Sequence, residues 1–229
     1  MIVQLISKTV GTNSYETLDN EEIVAAIARH GIIKEDNGKL VKYLMDNSHW
    51  SPLQHISFGF KIKTRRSISA QIFRHRSLNG QEWSLRYSEP LGFEKVELRK
   101  EHPTNRQSST EAFDPEIEID RYLGGYIPGA EASYSNLMEG LLEDIQYLYE
   151  EGIKAGIAKE CARDILPMCT KTTIHITGTL RDLLGFLNVR LDDDSQKEVR
   201  EIAYRIGEEL EQQLPNTFKN IDWKKGMFM

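Results

Sequence analysis

The apolar residues of this 229-residue chain follow two different spacings, and together these decide which fold classes are open to it. In the first third they alternate with polar or small residues, as on a half-buried strand: Ile56, Phe58, Phe60 and Ile62. Near the end they recur every three or four positions, which is typical of a helix with one buried face: Val199, Ile202, Ala203, Ile206, Leu210 and Leu214. Strand and helix patterns in separate parts of one chain predict an α+β fold.

Local signals predict further elements before residue 100. Asn20 and Gly31 have the residue types that begin and end a helix, and Ser51-Pro52 marks another helix start. Asn79-Gly80 is typical of a turn, so a loop is expected there. The predicted elements are a strand over 1–10 and helices over 20–30, 39–46 and 67–75.

The second half is predicted to be mostly helical. A loop is expected over 100–115, and a strand rich in Thr and Ile over 169–179. Ser195 and Glu198 form a capping-box pattern before the last long helix. An earlier helix carries an apolar stripe: Tyr134, Leu137, Leu141, Ile145 and Leu148. The whole chain, 1–229, is therefore predicted to be a single α+β domain with long helices clustered on a small antiparallel or mixed sheet.

Composition excludes several classes of protein. Hydrophobic residues make up 39% and charged residues 28%, an ordinary globular mixture, and no apolar stretch approaches the roughly 18 residues of a membrane span. Two cysteines cannot form a disulfide framework or a four-ligand zinc site. The first ten residues lack the features of a secretory signal, which favours the cytoplasm. A net charge of −6 argues against a nucleic-acid partner.

Charge is distributed unevenly along the chain. The stretch from Asn47 to Gln81 contains no Asp or Glu, but it holds six cations and three histidines: Lys61, Lys63, Arg65, Arg66, Arg74, Arg76, His49, His55 and His75. A local positive field in an acidic protein suits a small anionic ligand better than a long polyanion, which the remaining surface would repel. A solvated basic strand face is the alternative.

Functional groups are densest over 74–87. Three arginines lie there, and their planar guanidinium groups suit phosphate and carbonyl oxygens. Glu82 is an acceptor that can hold ring or ribose donors, and Asn79-Gly80 can turn backbone N–H groups toward a ligand. An exposed charged loop is the alternative, although such a loop rarely follows an apolar helix inside an acid-free stretch.

Several ordered motifs resemble those of the flavin-dependent thymidylate synthases. The family signature is Arg-His-Arg, seven residues and then Ser, and 74–76 with Ser84 match it at that spacing. The segment 49–55 is similar to the family element His-x-Thr/Ser-Pro-x-x-His. The longer form of the signature is matched by Glu82, Arg86 and Tyr87. Matches in the second half are Arg163, Leu166-Pro167, Arg181 and the Phe-Leu-x-x-Arg segment that ends at Arg190.

Three positions depart from the family pattern: Asn79, Gln81 and Asp194. Ser and Asn are usual at the first two positions, and a histidine is common near the third. These departures concern individual flavin contacts.

The resemblance implies that a methylene group passes from 5,10-methylenetetrahydrofolate to carbon 5 of dUMP. NADPH would reduce FAD, and the reduced flavin would then supply the hydride that completes the methyl group. The products would be dTMP and tetrahydrofolate, and the protein would orient the rings while the cofactor carries out the redox step. The family also implies a homotetramer whose partners are small-molecule substrates, dUMP and folate. Composition and charge, as above, predict a cytoplasmic protein with no nucleic-acid or membrane partner.

The resemblance also implies roles for individual residues. Arg190 would stabilise the charge that develops on the uracil ring and Ser84 would position the ring, which makes these two the candidate catalytic residues. The dUMP site would comprise Gln71, Arg74, Glu82, Trp83, Ser84, Leu85, Arg86, Arg163 and Arg190. The FAD site would comprise His49, Ser51, Arg74, His75, Arg76, Glu82, Thr179, which stands where Asn is frequent, and Arg181.

Other functions stay open at this point. A non-catalytic nucleotide- or flavin-binding homologue is suggested by the departures at Asn79 and Gln81. An RNA-binding module using 61–76 and a metal hydrolase using the three histidines are weaker, because no aromatic stacking motif and no neighbouring carboxylate accompany them. No metal is therefore predicted. Cys161 and Cys169 lack an activating neighbour in sequence and are expected to pack rather than react.

Overall fold

The computed structural model describes residues 1–32, 34 and 37–226. Its strands are β1 Ile2–Lys8, β2 Ser57–Arg65, β3 Asn79–Glu82, β4 Arg99–Glu101, β5 Ser109–Ala112, β6 Glu116–Glu118, β7 Glu131–Ser133 and β8 Lys171–Thr179. Its helices are α1 Asn20–Ala28, α2 Asn37–Asp46, α3 Arg66–Ile72, α4 Tyr134–Lys154, α5 Lys159–Ala162, α6 Leu180–Arg190, α7 Lys197–Gln213 and α8 Pro215–Phe218. Short 3-10 turns lie at Asn13–Tyr15, Ser51–Gln54, Arg163–Ile165 and Trp223–Lys225.

The chain folds as two compact units. The first comprises Met1–Thr64, Ile68–Glu82 and Thr173–Met229, and the second comprises Arg65–Ser67 and Trp83–Thr172. The predicted α+β class is confirmed, whereas the prediction that 1–229 is a single domain stays a prediction. None of the helices in the described part of the chain combines the length and apolar character needed to cross a membrane.

The first unit is built on a four-stranded sheet in the order β1-β2-β8-β3. β1 is antiparallel to β2, and β3 is antiparallel to β8. The two predicted apolar patterns meet in one core, because the alternating residues around β2 and the stripe of α7 are all 0% exposed. Burying an aliphatic or aromatic side chain stabilises a fold by about 1.5–3 kcal/mol, so this shared core fixes both elements.

The second unit contains two small antiparallel ribbons and α4. β4 pairs with β5, and β6 pairs with β7. A small apolar cluster of Ile119, Ala132 and Leu137 lies between the second ribbon and α4. The loop predicted over 100–115 is therefore wrong in part, because two short polar strands lie there. Polar strands carry no apolar alternation by which a sequence pattern could reveal them.

At three predicted helix starts, the capping residue or capping bond differs from the prediction. Asp19, not Asn20, caps α1, because the extended Asp19 accepts a 2.8 Å bond from the Glu22 N–H and completes a capping box. The Ser51-Pro52 start gives only a short 3-10 turn, and no side chain caps it. The capping box predicted at Ser195 does not form, because the residue that caps α7 is Gln196 and its side chain makes no capping bond.

The connection after α3 also differs from its prediction. The helix ends at Ile72 rather than at residue 75, and the next bonds, such as His75 N–H to the Ile72 carbonyl at 3.0 Å, tighten into turns. Asn79-Gly80 is not a loop but the start of β3. A Cβ at Gly80 would lie 2.1 Å from Cε1 of Phe73, so a larger residue there would displace the Phe73 ring.

The apolar stripe of α4 is helical as predicted, but most of it is not core. Leu137 is buried, whereas Tyr134, Leu141 and Leu148 are 45%, 39% and 60% exposed. The spacing of apolar residues predicts that a helix has an apolar face without specifying what covers that face. The described chain thus carries an exposed apolar strip along its longest helix.

Candidate functional site

The basic motif of the first unit lies in the connection between α3 and β3. Arg74 and Arg76 are exposed there, and their guanidinium groups form no hydrogen bond or ion pair with other described residues. Arg181, in the first turn of α6, is likewise exposed and unpaired within those residues. Three guanidinium groups without internal partners are available for an anionic or carbonyl-bearing ligand.

Arg190 ends α6 and reaches the end of α3. Its Nη2 donates a 3.0 Å hydrogen bond to the backbone carbonyl of Gln71. Its Nε–H is buried and meets no acceptor among the described residues. Burial lowers the pKa of Arg190 from its ordinary value, although a guanidinium group stays protonated at any working pH. A half-buried cation with a buried, unused donor is unusual in a purely structural role.

His75 packs beside this arginine in the same unit. Its ring meets Phe186 edge-on, with centroids 5.5 Å apart and planes at 88°. Burial lowers the pKa of His75, the charge of Arg190 lowers it further, and Asp182 opposes both effects. The imidazole is therefore held toward its neutral form, in which one nitrogen donates and the other accepts.

We expect this depressed pKa of His75 to make the stability of the protein fall in mild acid. The unfolded chain takes up a proton near the ordinary value of 6.5, whereas the folded chain does so only at lower pH. Protonation therefore favours the unfolded state, and the stability present above that value is lost as the pH falls through it toward the folded pKa.

Urea titrations of ligand-free protein at several pH values would measure this slope. His75→Gln should flatten it, while His55→Gln, at an exposed position, should leave it as in the parent. An unchanged slope in His75→Gln would contradict the assignment.

Thr179 and Asp182 are occupied with each other. The Thr179 hydroxyl accepts from the Asp182 N–H at 3.3 Å and the Thr179 N–H donates to the Asp182 carboxylate at 3.2 Å, which forms the capping box of α6. The hydroxyl also donates to the same carboxylate at 2.6 Å. The predicted cofactor residue Thr179 thus has a structural role in this chain.

The remaining predicted residues of the first unit lie in three places. Glu82 ends β3 and accepts a 2.7 Å hydrogen bond from Ser69. His49 and Ser51 are exposed before β2, and the His49 ring lies 6.4 Å from that of Tyr43. Gln71, at the end of α3, donates from Nε2 to Oε1 of Gln196.

The second unit holds the rest of the predicted nucleotide site. Arg86 Nη2 bonds the Glu160 carboxylate at 3.2 Å, and Arg163 Nε donates to the Glu160 backbone carbonyl at 3.1 Å. Two arginines predicted for the dUMP site therefore meet at one residue. The Arg86 pair is largely exposed, and such pairs contribute little, so a phosphate can replace the carboxylate.

The turn 83–88 carries the other predicted residues of this unit. The Trp83 carbonyl accepts a 2.9 Å bond from Arg66, and Leu85 is buried. Ser84 Oγ accepts only a 3.4 Å bond from the Arg86 N–H within the described residues. Since no histidine or carboxylate bonds Ser84 there, the geometry favours a positioning hydroxyl over a nucleophile.

The histidines and cysteines form no common centre. Among the described residues no group of three His, Cys, Asp or Glu side chains is arranged to hold a metal ion. Cys161 is exposed on α5, whereas Cys169 is buried, and burial raises the pKa of the Cys169 thiol. A raised pKa disfavours the thiolate that a nucleophilic cysteine needs.

Sequence reasoning missed four residues that bond the predicted site residues directly or, for Glu198, through Gln196: Gln196, Glu198, Ser69 and Asp182. Asp182 could have been found, because Thr-x-x-Asp is close to a capping-box pattern. Glu198 bonds Gln196 two positions away, and Ser69 bonds Glu82 across 13 positions. Gln196 bonds Gln71 across 125 positions. No local pattern signals such a pair.

Fold and site define an α+β protein with exposed arginine side chains of the kind that suits a small anionic ligand. Residues 6–216 match the family model described as thymidylate synthase complementing protein. The chain belongs to this family.

Named relatives match over most of their own length. The chain is 33% identical over 211 residues to the flavin-dependent thymidylate synthase of Synechocystis sp., covering 91% of this chain and 92% of that one. It is 33% identical to the protein of Paramecium bursaria Chlorella virus 1 named probable flavin-dependent thymidylate synthase, with 89% and 91% covered. It is 30% identical to the flavin-dependent thymidylate synthase of Thermosipho africanus, with 81% and 76% covered.

Proposed function

We propose that this chain is a flavin-dependent thymidylate synthase, a methyltransferase that converts dUMP to dTMP. The observation that carries the proposal is the Arg74-His75-Arg76 signature with unpaired arginines, in a chain that matches the family over 6–216. Relatives named for this activity cover the same region.

The dUMP site draws on the residues that the resemblance implied. Arg86 and Arg163 suit the phosphate, because both guanidinium groups meet at Glu160 and Arg86 holds only an exposed ion pair. Arg190 suits the uracil ring, because it keeps a buried Nε–H without an acceptor in the described chain. Ser84 positions the substrate through its hydroxyl.

The residues present fit a flavin. Arg74, Arg76 and Arg181 offer guanidinium groups that no described residue uses, and these suit a dinucleotide pyrophosphate. His75 adds a half-buried ring whose pKa burial lowers. When bound, reduced FAD supplies the hydride that completes the methyl group. Thr179 is the weakest member of this set, because it already bonds Asp182.

The protein's own contribution is electrostatic and positional. Carbon 5 of uracil becomes nucleophilic when negative charge on the N3–O4 edge is stabilised. Arg190 is fixed for that purpose by its bond to the Gln71 carbonyl. The ring needs no covalent activation by a side chain, which agrees with the missing base at Ser84 and the raised thiol pKa of Cys169.

The finer features of the family belong to the same proposal. NADPH is the reductant, 5,10-methylenetetrahydrofolate is the methylene donor, and the enzyme works in the cytoplasm. A homotetramer is supported by the exposed apolar residues of α4, because contiguous exposed apolar surface is typical of a subunit interface.

A non-catalytic flavin- or nucleotide-binding homologue is the second candidate. Asn79 and Gln81 favour it as departures from the family signature, but both are exposed in β3. The two candidates predict the same bound ligands and differ only in turnover.

Purified protein tests both candidates. A flavin absorption spectrum with FAD released by acid, together with dTMP formed from dUMP, methylenetetrahydrofolate and NADPH, is the result expected. Protein that stays colourless after incubation with FAD would overturn the enzyme, and failure to bind dUMP as well would overturn both candidates. Bound FAD and dUMP without product would leave the non-catalytic one.

Neither cysteine should be needed for turnover. We expect Cys169→Ala and Cys161→Ala to form dTMP at rates close to that of the parent, because burial disfavours the Cys169 thiolate and Cys161 is not held by a base. Product formation with melting temperatures as the folding control measures this. Complete loss of turnover in a folded Cys169→Ala protein would revive a cysteine nucleophile.

A further inference from the structure

Hydrogen bonds join three side chains, Glu198, Gln196 and Gln71, into a relay that ends at the proposed dUMP site. Glu198 is only 9% exposed and accepts a 2.9 Å hydrogen bond from Nε2 of Gln196. Oε1 of Gln196 in turn accepts a hydrogen bond from Nε2 of Gln71. The Gln71 backbone carbonyl also accepts the bond from Arg190. All four residues lie in the first unit.

The carboxylate fixes the direction of every bond in this relay. A carboxylate only accepts, so Gln196 must turn its NH₂ group toward Glu198 and its oxygen toward Gln71. Gln71 must then turn its own NH₂ group toward Gln196. The two-fold ambiguity of an amide is thereby removed at both glutamines. Oε1 of Gln71 accepts no hydrogen bond from any described residue.

The position of Gln196 at the start of α7 suggests that the relay has a functional rather than a helix-capping role. Gln196 is the N-cap of α7, with φ −56° and ψ 135°, and its backbone carbonyl accepts the Val199 N–H at 2.9 Å. Side chains at this position usually satisfy a free N–H of the helix. Gln196 makes no such bond and reaches Gln71 instead. Local rules are broken most often where function requires it.

We propose that Gln196 and Glu198 are positioning residues for the dUMP site. They hold the Gln71 amide so that Oε1 accepts a hydrogen bond from a donor on the nucleotide. This inference rests on the proposed function, because Gln71 belongs to the dUMP site only through it. dUMP offers two such donors, the N3–H of the ring and the 3′-hydroxyl, and the two can be told apart by removing each.

Calorimetric titration of dUMP into the FAD-loaded protein tests the relay. Gln196→Met should weaken dUMP binding by about 10-fold, the typical contribution of one well-placed hydrogen bond. FAD content and melting temperature should stay at parental values. Glu198→Gln should weaken dUMP binding by about threefold. An amide at position 198 can both donate and accept, so it no longer forces the Gln196 side-chain amide into one orientation. Gln212→Met, at an exposed position of α7, is the matched control.

Two nucleotide analogues separate positioning from general damage. The weakening caused by Gln196→Met should disappear for the analogue that lacks the relevant donor, either N3-methyl-dUMP or 2′,3′-dideoxyuridine monophosphate. It should persist for the other analogue and for dUMP. Unchanged dUMP affinity in folded Gln196→Met, or equal weakening for all three ligands, would overturn the relay alone. Parent protein that binds FAD but no dUMP would overturn the proposed function and the relay together.

Discussion

Arg190→Ala should lower the rate of dTMP formation by about 100- to 1,000-fold while FAD stays bound, since removing one preorganised donor from a developing anion typically has this effect. Arg190 is held by the Gln71 carbonyl at 3.0 Å and keeps its buried Nε–H without an acceptor in the described chain. In the proposed function this guanidinium group would stabilise negative charge on the N3–O4 edge of uracil. Arg190→Lys should recover only part of the rate, because an ammonium group lacks the planar fork.

Single-turnover product analysis on FAD-loaded protein is the measurement. Arg205→Ala, on the exposed face of α7, is the matched control and should react like the parent. Ser84→Ala should lose only about fivefold, as expected for one positioning hydrogen bond. Parental activity in a folded Arg190→Ala protein, or a covalent Ser84–uracil adduct, would refute this mechanism.

Trp223→Ala should lower the free energy of unfolding by about 3–5 kcal/mol, the usual cost of removing a fully buried tryptophan. Trp223 is 1% exposed and packs against Phe218 with centroids 5.7 Å apart. It also fills the space over Gly207 of α7, where a Cβ would lie 2.0 Å from Cζ3 of the indole. Truncation therefore leaves a cavity that the backbone of α7 cannot close.

Urea titration of Trp223→Ala checks this value, and a fall in melting temperature of roughly 10 °C should accompany it. Tyr122→Ala, at a side chain that is 79% exposed, should change stability by less than about 0.5 kcal/mol. A change that small in Trp223→Ala would mean that the C-terminal turn does not contribute to the core.

The sequence predicted the elements that have a strong apolar period. The strand around Phe58 and the last long helix were both found where the spacing placed them, and their apolar residues are all buried. The pattern failed where burial does not follow a period. β3 and the ribbon of β4 and β5 are polar, and the stripe of α4 is exposed at Leu141 and Leu148.

The candidate site divides along the same line. The sequence by itself identified Arg74, His75 and Ser84 as candidate functional residues, because they lie in a motif whose order and spacing can be read directly from the sequence. Only the tertiary structure showed that Arg190 donates a hydrogen bond to the Gln71 carbonyl across 119 positions. It also showed that the Thr179 hydroxyl is already hydrogen-bonded to Asp182 at the start of a helix.

Glu198 illustrates the physical reason most clearly. Its spacing from Ser195 predicted a capping box, but its carboxylate instead accepts a hydrogen bond from Nε2 of Gln196. Oε1 of Gln196 accepts a hydrogen bond from Gln71. Local patterns depend on neighbours within one helical turn, whereas the bond between Gln71 and Gln196 joins the end of α3 to the residue before α7 across 125 positions. The sequence determined the available donors and acceptors, and packing alone determined which of them meet.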